Sequence, residues 1–399
     1  MPYKAVIIGC GPMGCANMDL NFPFKYSYAE AILGTPGVTL EGVVDTAPLV
    51  ADNWSKRLNV KRYPTFNEAF DDKPDIVCIA GGTTANAEII PYAIRSNVKA
   101  VWCEKPISLS LEYIKRLLSL EEIRCMPTHR KEEEPSTKIQ VNYLRNLCST
   151  HDKIATFIRN GGLGRLQTVR VNYCGGILAN ATHATAYLQK IFEVPIEATG
   201  VFAAISNIDK EGRPTKDDPN ISGIIKYRTL NSSSGEQGEV DVFFTPSGRG
   251  KANNNLYLFE IEFLGDKGRL TLLHNTFDLR YEIVQDSHIF GASVGTRHPY
   301  ETTEIPKELG TNGSTKVHFE PMLDGMQTLI EAIENNTPTR ANVGIAYHAQ
   351  LAAHMLALSA ERHGKRVTLT ESDLQIHVFA GTHAGISVLR KQTGADASK

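Results

Sequence analysis

The chain has 399 residues, 42% hydrophobic and 22% charged, with 42 Lys and Arg against 44 Asp and Glu. That is the composition of a globular protein with enough apolar content for a sizeable core, in two domains or one large α/β domain. The charge balance argues against a nucleic-acid-binding surface or a polyanionic tail, and no stretch approaches the roughly 18 apolar residues of a membrane helix.

The seven cysteines (Cys10, Cys15, Cys78, Cys103, Cys125, Cys148, Cys174) are odd in number and form no C-x-x-C pair. Neither a disulfide framework nor a zinc or other metal site is expected. Free thiols and an N-terminus without a basic, long-cored leader fit a cytoplasmic protein.

The first apolar run, Val6-Ile7-Ile8, leads into Gly9-Cys10-Gly11-Pro12-Met13-Gly14, a G-x-G-x-x-G turn. Such a turn lets the backbone approach a pyrophosphate and aims a helix N-terminus at it. The expected cofactor contacts here are Gly9, Gly11, Pro12, Met13 and Gly14. Between Gly14 and Asp45 lie about ten residues more than this fingerprint usually has. The extra material falls around residues 17–28, rich in aromatics (Phe22, Phe24, Tyr26, Tyr28). A lid over the cofactor, an interface patch and a surface insertion packing its own aromatics are the three readings.

Asp45 ends the second apolar run. A carboxylate there accepts hydrogen bonds from the adenosine ribose and repels a 2′-phosphate, and Thr46-Ala47 follow in place of the Ser-Arg pair common in NADP sites. NAD rather than NADP is therefore expected, with Thr46 beside it; the plainer reading of Asp45 is a turn cap. Apolar runs at 4–8, 40–44, 76–80 and 100–103 alternate with helical stretches, which predicts a parallel, doubly wound sheet. The last run ends in Glu104-Lys105-Pro106. A lysine at that strand end, opposite a glycine turn, can polarise a forming carbonyl and, if its pKa falls in a dry pocket, share the proton.

A G-x-G-x-x-G turn followed one βαβ repeat later by Glu-Lys-Pro resembles the glucose-fructose oxidoreductase / inositol dehydrogenase / MocA family. The resemblance extends to the Phe263-Leu264-Gly265-Asp266-Lys267-Gly268 turn and to residues 324–369, with Ala332-Ile333-Glu334-Asn335 and Gly364-Lys365-Arg366-Val367. It implies that Glu104 and Lys105 meet the nicotinamide end, that Thr83 contacts the cofactor, and that Pro106 follows a cis bond. Thr84 and Glu88 replace the family's proline and histidine, and Glu88 is expected to start the next helix. Within Gly175-Gly176-Ile177-Leu178-Ala179-Asn180-Ala181-Thr182-His183, His183 matches the family histidine that pairs with the lysine over the substrate. Many members carry carboxylates four residues before and three after this histidine, where Ala179 and Ala186 stand. Asn180 would replace them with a neutral hydrogen bond. Arg145, in Val141-Asn142-Tyr143-Leu144-Arg145, is either a substrate clamp for phosphate or carboxylate or a surface ion pair. Tyr173 completes the expected substrate set of Lys105, Arg145, Asn180 and His183, with Lys105 and His183 catalytic.

A polar stretch, residues 121–138, reads as a surface connection. Strand-like runs then follow at 167–173, 223–227, 239–244, 257–264, 269–273 and 279–284, with loops at 231–238 and 248–255 and helices at 321–335 and 347–362. The expected architecture is a Rossmann dinucleotide-binding domain over 1–122 and an α+β domain over 123–399. The second domain has a large, mostly antiparallel open sheet, and its C-terminal helices pack back on the first. Its open face would form a homodimer or homotetramer. The leading function is an NAD-dependent oxidoreductase acting on a secondary alcohol of a sugar, nucleotide sugar or cyclitol, with no nucleic-acid or membrane partner. Two alternatives remain: a glycosidase or lyase working by transient oxidation with tightly held NAD, and a non-catalytic NAD-binding regulator.

Overall fold

The computed structural model describes residues 2–125, 137–203, 218–230, 237–247, 259–273, 278–287, 296–301, 305–311 and 314–368. The chain begins with β1 (Tyr3–Ile8), α1 (Tyr28–Gly34), β2 (Val38–Val44), α2 (Pro48–Leu58), β3 (Lys61–Tyr63), α3 (Phe66–Asp71), β4 (Ile76–Ile79), α4 (Gly82–Arg95), β5 (Ala100–Cys103), α5 (Leu111–Cys125) and β6 (Lys138–Val141). Every residue of β4 and β5 is buried, as expected for strands covered on both faces. The strands form one parallel sheet in the order β3-β2-β1-β4-β5-β6. The order reverses between β1 and β4, so the crevice outside their carboxyl ends is where a ligand would lie.

The division expected at 122/123 falls inside α5, and the first sheet extends further, taking in β6. The polar stretch that marked a boundary in composition is followed by a four-residue strand that closes the sheet edge. The charged part of that stretch and the loops at 231–236 and 248–255 lie outside the described residues. Neither β3 nor β6 was anticipated, because Lys61 and Arg62 in the one and Lys138 and Gln140 in the other leave no continuous apolar run.

After α6 (Leu144–Leu147) and α7 (Ser149–Arg159) comes β7 (Leu166–Cys174), then α8 (Thr182–Leu188). There follow β8 (Pro195–Phe202), β9 (Ile221–Leu230), β10 (Gln237–Ser247), β11 (Glu260–Gly265), β12 (Gly268–Leu273), β13 (Asp278–Ser287) and β14 (Thr296–Glu301). These eight strands make a second sheet, β14-β13-β12-β11-β7-β10-β9-β8, antiparallel except for the β7–β10 pair. Burial alternates along β11 and β12, the mark of a sheet packed on one face.

Two helices close the described chain, α9 (Pro321–Glu334) and α10 (Val343–Glu361). Met322, Met326 and Leu329 of α9 belong to the core of the first sheet, and Gly325 lies so close to Trp102 that a Cβ would sit 2.8 Å from its ring. α10 joins the two cores: Val343, Ala346 and Ala349 pack in the first, Ala352, Met355 and Leu356 in the second. Burial on both sides explains why this helix is apolar nearly all round. Among the described residues Cys10, Cys15, Cys78, Cys103, Cys148 and Cys174 are free and buried, and no helix is long and apolar enough to cross a membrane.

Candidate active site

β1 delivers the glycine turn to the mouth of the crevice. Gly9 has φ +99°, where other residues are strained, and a Cβ there would lie 2.9 Å from the Ala80 carbonyl carbon. A Cβ on Gly14 would lie 1.9 Å from the Gly9 oxygen, whereas one on Gly11 would meet nothing within 4 Å. The protein's own packing thus requires two of these glycines, and the third leaves room that a phosphate can use. Asp45 is tied to this turn: its carboxylate accepts from the amides of Cys10 (2.7 Å) and Ala47 (2.8 Å). It is a turn cap, and two oxygens with one bond each retain acceptor capacity for ribose hydroxyls. The donor set and the open side of Gly11 fit a dinucleotide.

The insertion interrupts the helix that starts here. The amides of Tyr28 and Ala29 donate to Met13 and Gly14 carbonyls (2.8 and 3.0 Å), as residues four positions on would in an unbroken helix. Residues 17–27 are therefore an excursion. The Ser27 hydroxyl accepts from the Glu30 amide and donates to the Glu30 carboxylate, which also accepts from the Tyr26 amide, and this N-cap restarts α1. Phe22, Phe24 and Tyr26 pack on one another, and Phe24 meets the Phe319 ring edge-on at 5.0 Å. Of the three readings of this segment, packing of its own aromatics describes it, with the added task of bracing the approach to α9.

The restart also places Tyr28 at the chemical end. Its hydroxyl donates to Glu104 (3.0 Å), which also accepts from the Asn142 side chain (2.6 Å). Burial pushes the Glu104 carboxyl up, and Asn142, Lys105 and Tyr28 oppose that shift. Tyr28→Phe removes one charge-assisted donor from a buried carboxylate, and about 1.5–3 kcal/mol of stability should go with it; urea unfolding reads this directly, and an unchanged midpoint would show the bond to be dispensable.

The Lys105–Pro106 peptide is cis, and the Asn86 side chain holds the Glu104 carbonyl at 2.8 Å. The Lys105 ammonium donates to the Ala179 carbonyl. Burial lowers its pKa below the usual lysine value; the negative charges of Glu104 and Asp218 oppose this and the positive charge of Arg145 adds to it. Ala179 lies in a π turn, Ile177–Ala181, that runs into α8. His183 stands four residues on, in the first turn of α8, with its ring 5.9 Å from that of Tyr143. Lys105 and the turn that leads into the His183 helix are thus brought together across 74 residues of sequence.

The remaining candidates divide. Arg145 on α6 is only 3% exposed, its guanidinium 3.6 Å from the Phe259 ring centre, so it is no surface ion pair. Tyr173 requires correction as a substrate residue: its hydroxyl both donates to the Ile221 carbonyl and accepts from the Ile221 amide, at 2.8 Å each, deep in the second core. The side-chain amide of Asn180 donates to the Cys174 carbonyl (2.5 Å) and so braces the start of the turn. Thr83 is buried in the first turn of α4. Glu88 does not start that helix, which begins at Gly82 with no acidic residue in its first turn. Pro12 and Thr46 are exposed at the crevice mouth, and Met13 is half-buried. A cavity of about 730 Å³ opens elsewhere, beside Arg159, Arg165, Glu239 and Lys267, and none of the site residues lines it.

Four neighbours were not anticipated as site residues: Tyr28, Asn142, Asp218 and Phe259. Asn142 sits in the run singled out for Arg145 and Tyr28 in the aromatic insertion, Asp218 and Phe259 have no motif around them, and all four reach the site only through tertiary contact.

Residues 3–124 match a family model described as an oxidoreductase family with an NAD-binding Rossmann fold. Among solved structures, an oxidoreductase from Pseudomonas syringae superposes with a TM-score of 0.67 at 15% identity, covering 92% of this chain and 99% of the other. An inositol dehydrogenase homolog complexed with NAD+ from Azotobacter vinelandii gives 0.65 at 16%, covering 92% and 98%. An aldose-aldose oxidoreductase from Caulobacter crescentus gives 0.63 at 14%, covering 92% and 100%. At these identities the likeness is one of fold. No curated protein matches the sequence.

Proposed function

We propose, from the premise that this chain carries the NAD-binding Rossmann domain of the glucose-fructose oxidoreductase / inositol dehydrogenase / MocA oxidoreductases, that it transfers a hydride between NAD(H) and a secondary alcohol or ketone of a sugar, nucleotide sugar or cyclitol. The observation that carries this reading is Lys105, held at the carboxyl end of β5 against the π turn that leads into the helix bearing His183. NAD, when bound, supplies the hydride acceptor. Gly9, Gly11 and Gly14 form the turn that would receive its pyrophosphate, and Asp45 the ribose. Lys105 donates to the substrate oxygen and stabilises the charge that develops there. His183, an imidazole suited to general-base work by its chemistry, takes the hydroxyl proton. Arg145 adds a buried cation whose charge acts on the partly buried Lys105, suited to an anionic or strongly polar substituent.

The NAD preference rests on the Asp45 carboxylate, which would face a 2′-phosphate as a like charge. Titration should give roughly tenfold or greater preference for NAD+ over NADP+, and Asp45→Ser should bring the two near parity. Equal binding by the native chain would remove Asp45 from the ribose. Mass spectrometry of small molecules released from the purified protein provides the companion test. NAD that stays bound through turnover without net NADH would favour transient oxidation; NAD bound without any hydride transfer would favour a regulator. The outer face of the eight-stranded sheet, where Phe243 and Ile224 are exposed cross-strand neighbours, is the surface we assign to self-association, as a homodimer or homotetramer.

A further inference from the structure

The segment 218–220 closes on the start of the π turn amide by amide. Gly176 N–H donates to the Asn220 side chain (3.0 Å), Ile177 N–H to the Pro219 carbonyl (3.0 Å), and Leu178 and Ala179 N–H to the two carboxylate oxygens of Asp218 (2.7 and 3.0 Å). Four successive amides at the head of a helix, which have no partner within the helix itself, are all taken by three residues from a distant loop. Gly176 makes this approach possible: a Cβ there would lie 2.2 Å from the Asp218 carboxyl carbon. Asp218 is 2% exposed. A carboxylate so buried is retained only where donors and a counter-charge compensate its lost hydration.

A cation that this charge acts on is Lys105. Its ammonium rests on the carbonyl of Ala179, the same residue whose amide Asp218 holds. The His183 helix itself offers no acid at this place, since Ala179 and Ala186 stand four residues before and three after the histidine. We propose that Asp218 is the positioning residue of Lys105, fixing the turn on which the ammonium rests and supplying the buried negative charge that the His183 helix lacks. The catalytic meaning of this pairing rests on the hydride-transfer reading; the pairing itself does not.

A carboxylate that only clamped the turn would leave the protonation of Lys105 untouched, which gives the test. Lys105 in the cofactor-free full chain is titrated by competitive acetylation with trace acetic anhydride across pH, with the Lys105 peptide quantified by mass spectrometry against exposed Lys56. The charged groups acting on Lys105 are Glu104, Asp218 and Arg145, with His183 on the neighbouring helix. Asp218→Asn removes only one of these charges. Its Lys105 midpoint should fall by about one pH unit, the lower end for loss of a nearby opposite charge, and Asp218→Glu should hold it near the native value. An unmoved midpoint in Asp218→Asn overturns the proposal. If that variant is too unstable to isolate, Lys105→Met is added to it: a coupled pair makes the double variant more stable than Asp218→Asn alone, and the absence of any such rescue also overturns the proposal. Because no readout requires turnover, a chain without hydride transfer would defeat the functional reading and leave this result standing.

Discussion

Lys105→Ala is expected to bind NAD(H) within about twofold of the native protein and to lose about a thousandfold in kcat, the range seen when a positioned proton-transfer or charge-stabilising group is removed. The two effects separate because Lys105 reaches across the crevice to the Ala179 carbonyl, whereas the glycine turn and Asp45 lie at the carboxyl ends of β1 and β2. Fluorescence titration with NADH measures the first, and steady-state turnover over a panel of sugars and cyclitols measures the second. A variant that keeps its turnover would show that the lysine is only a strand-end cation. A variant that loses NAD binding would place Lys105 in the cofactor's support instead of the chemistry.

The glycine turn should separate into two kinds of position. Gly14→Ala drives a methyl to 1.9 Å from the Gly9 oxygen, so the first helical turn must move away from β1. Overpacking of this kind costs about 1–3 kcal/mol, and the displaced amides should lose NAD by a further hundredfold or about that, on the arithmetic of roughly 1.4 kcal/mol per decade. Gly11→Ala meets no protein atom within 4 Å. Its melting temperature should stay at the native value while NAD affinity falls, because the methyl occupies the room left for the pyrophosphate. Calorimetry on each variant, with and without NAD, checks both. Native affinity in Gly11→Ala would mean that the phosphates do not pass over this turn.

The same contrast runs through the molecule. β4 and β5 were legible because strands buried on both faces must be continuous apolar runs, β1 and β2 by the buried apolar residues at their carboxyl ends, and the glycine turn because only glycine satisfies its close approaches. Lys105 and Arg145 were legible by residue type and place, although linear sequence could not tell a buried Arg145, stacked on Phe259, from a surface pair. The restart of α1 was written in Ser27 and Glu30 but masked by the insertion before it. Strands β3 and β6 carry polar residues that break any apolar run, and the boundary drawn from a charge run fell within α5.

What the sequence determined by itself was therefore whatever local chemistry demands: a dinucleotide turn, an acid after the second strand, a lysine at the end of the fifth. Tertiary structure alone decided which distant groups complete the site. Tyr28 and Asn142 converge on Glu104, Asp218 closes on the turn beside Lys105, and Tyr173 is withdrawn into the core by Ile221. Such pairings span 38 to 76 residues along the chain. Their energy depends on burial, which sets the strength of each charge and the cost of leaving a donor unmatched, and burial is a property of the packed sheets and helices rather than of any local run of residues.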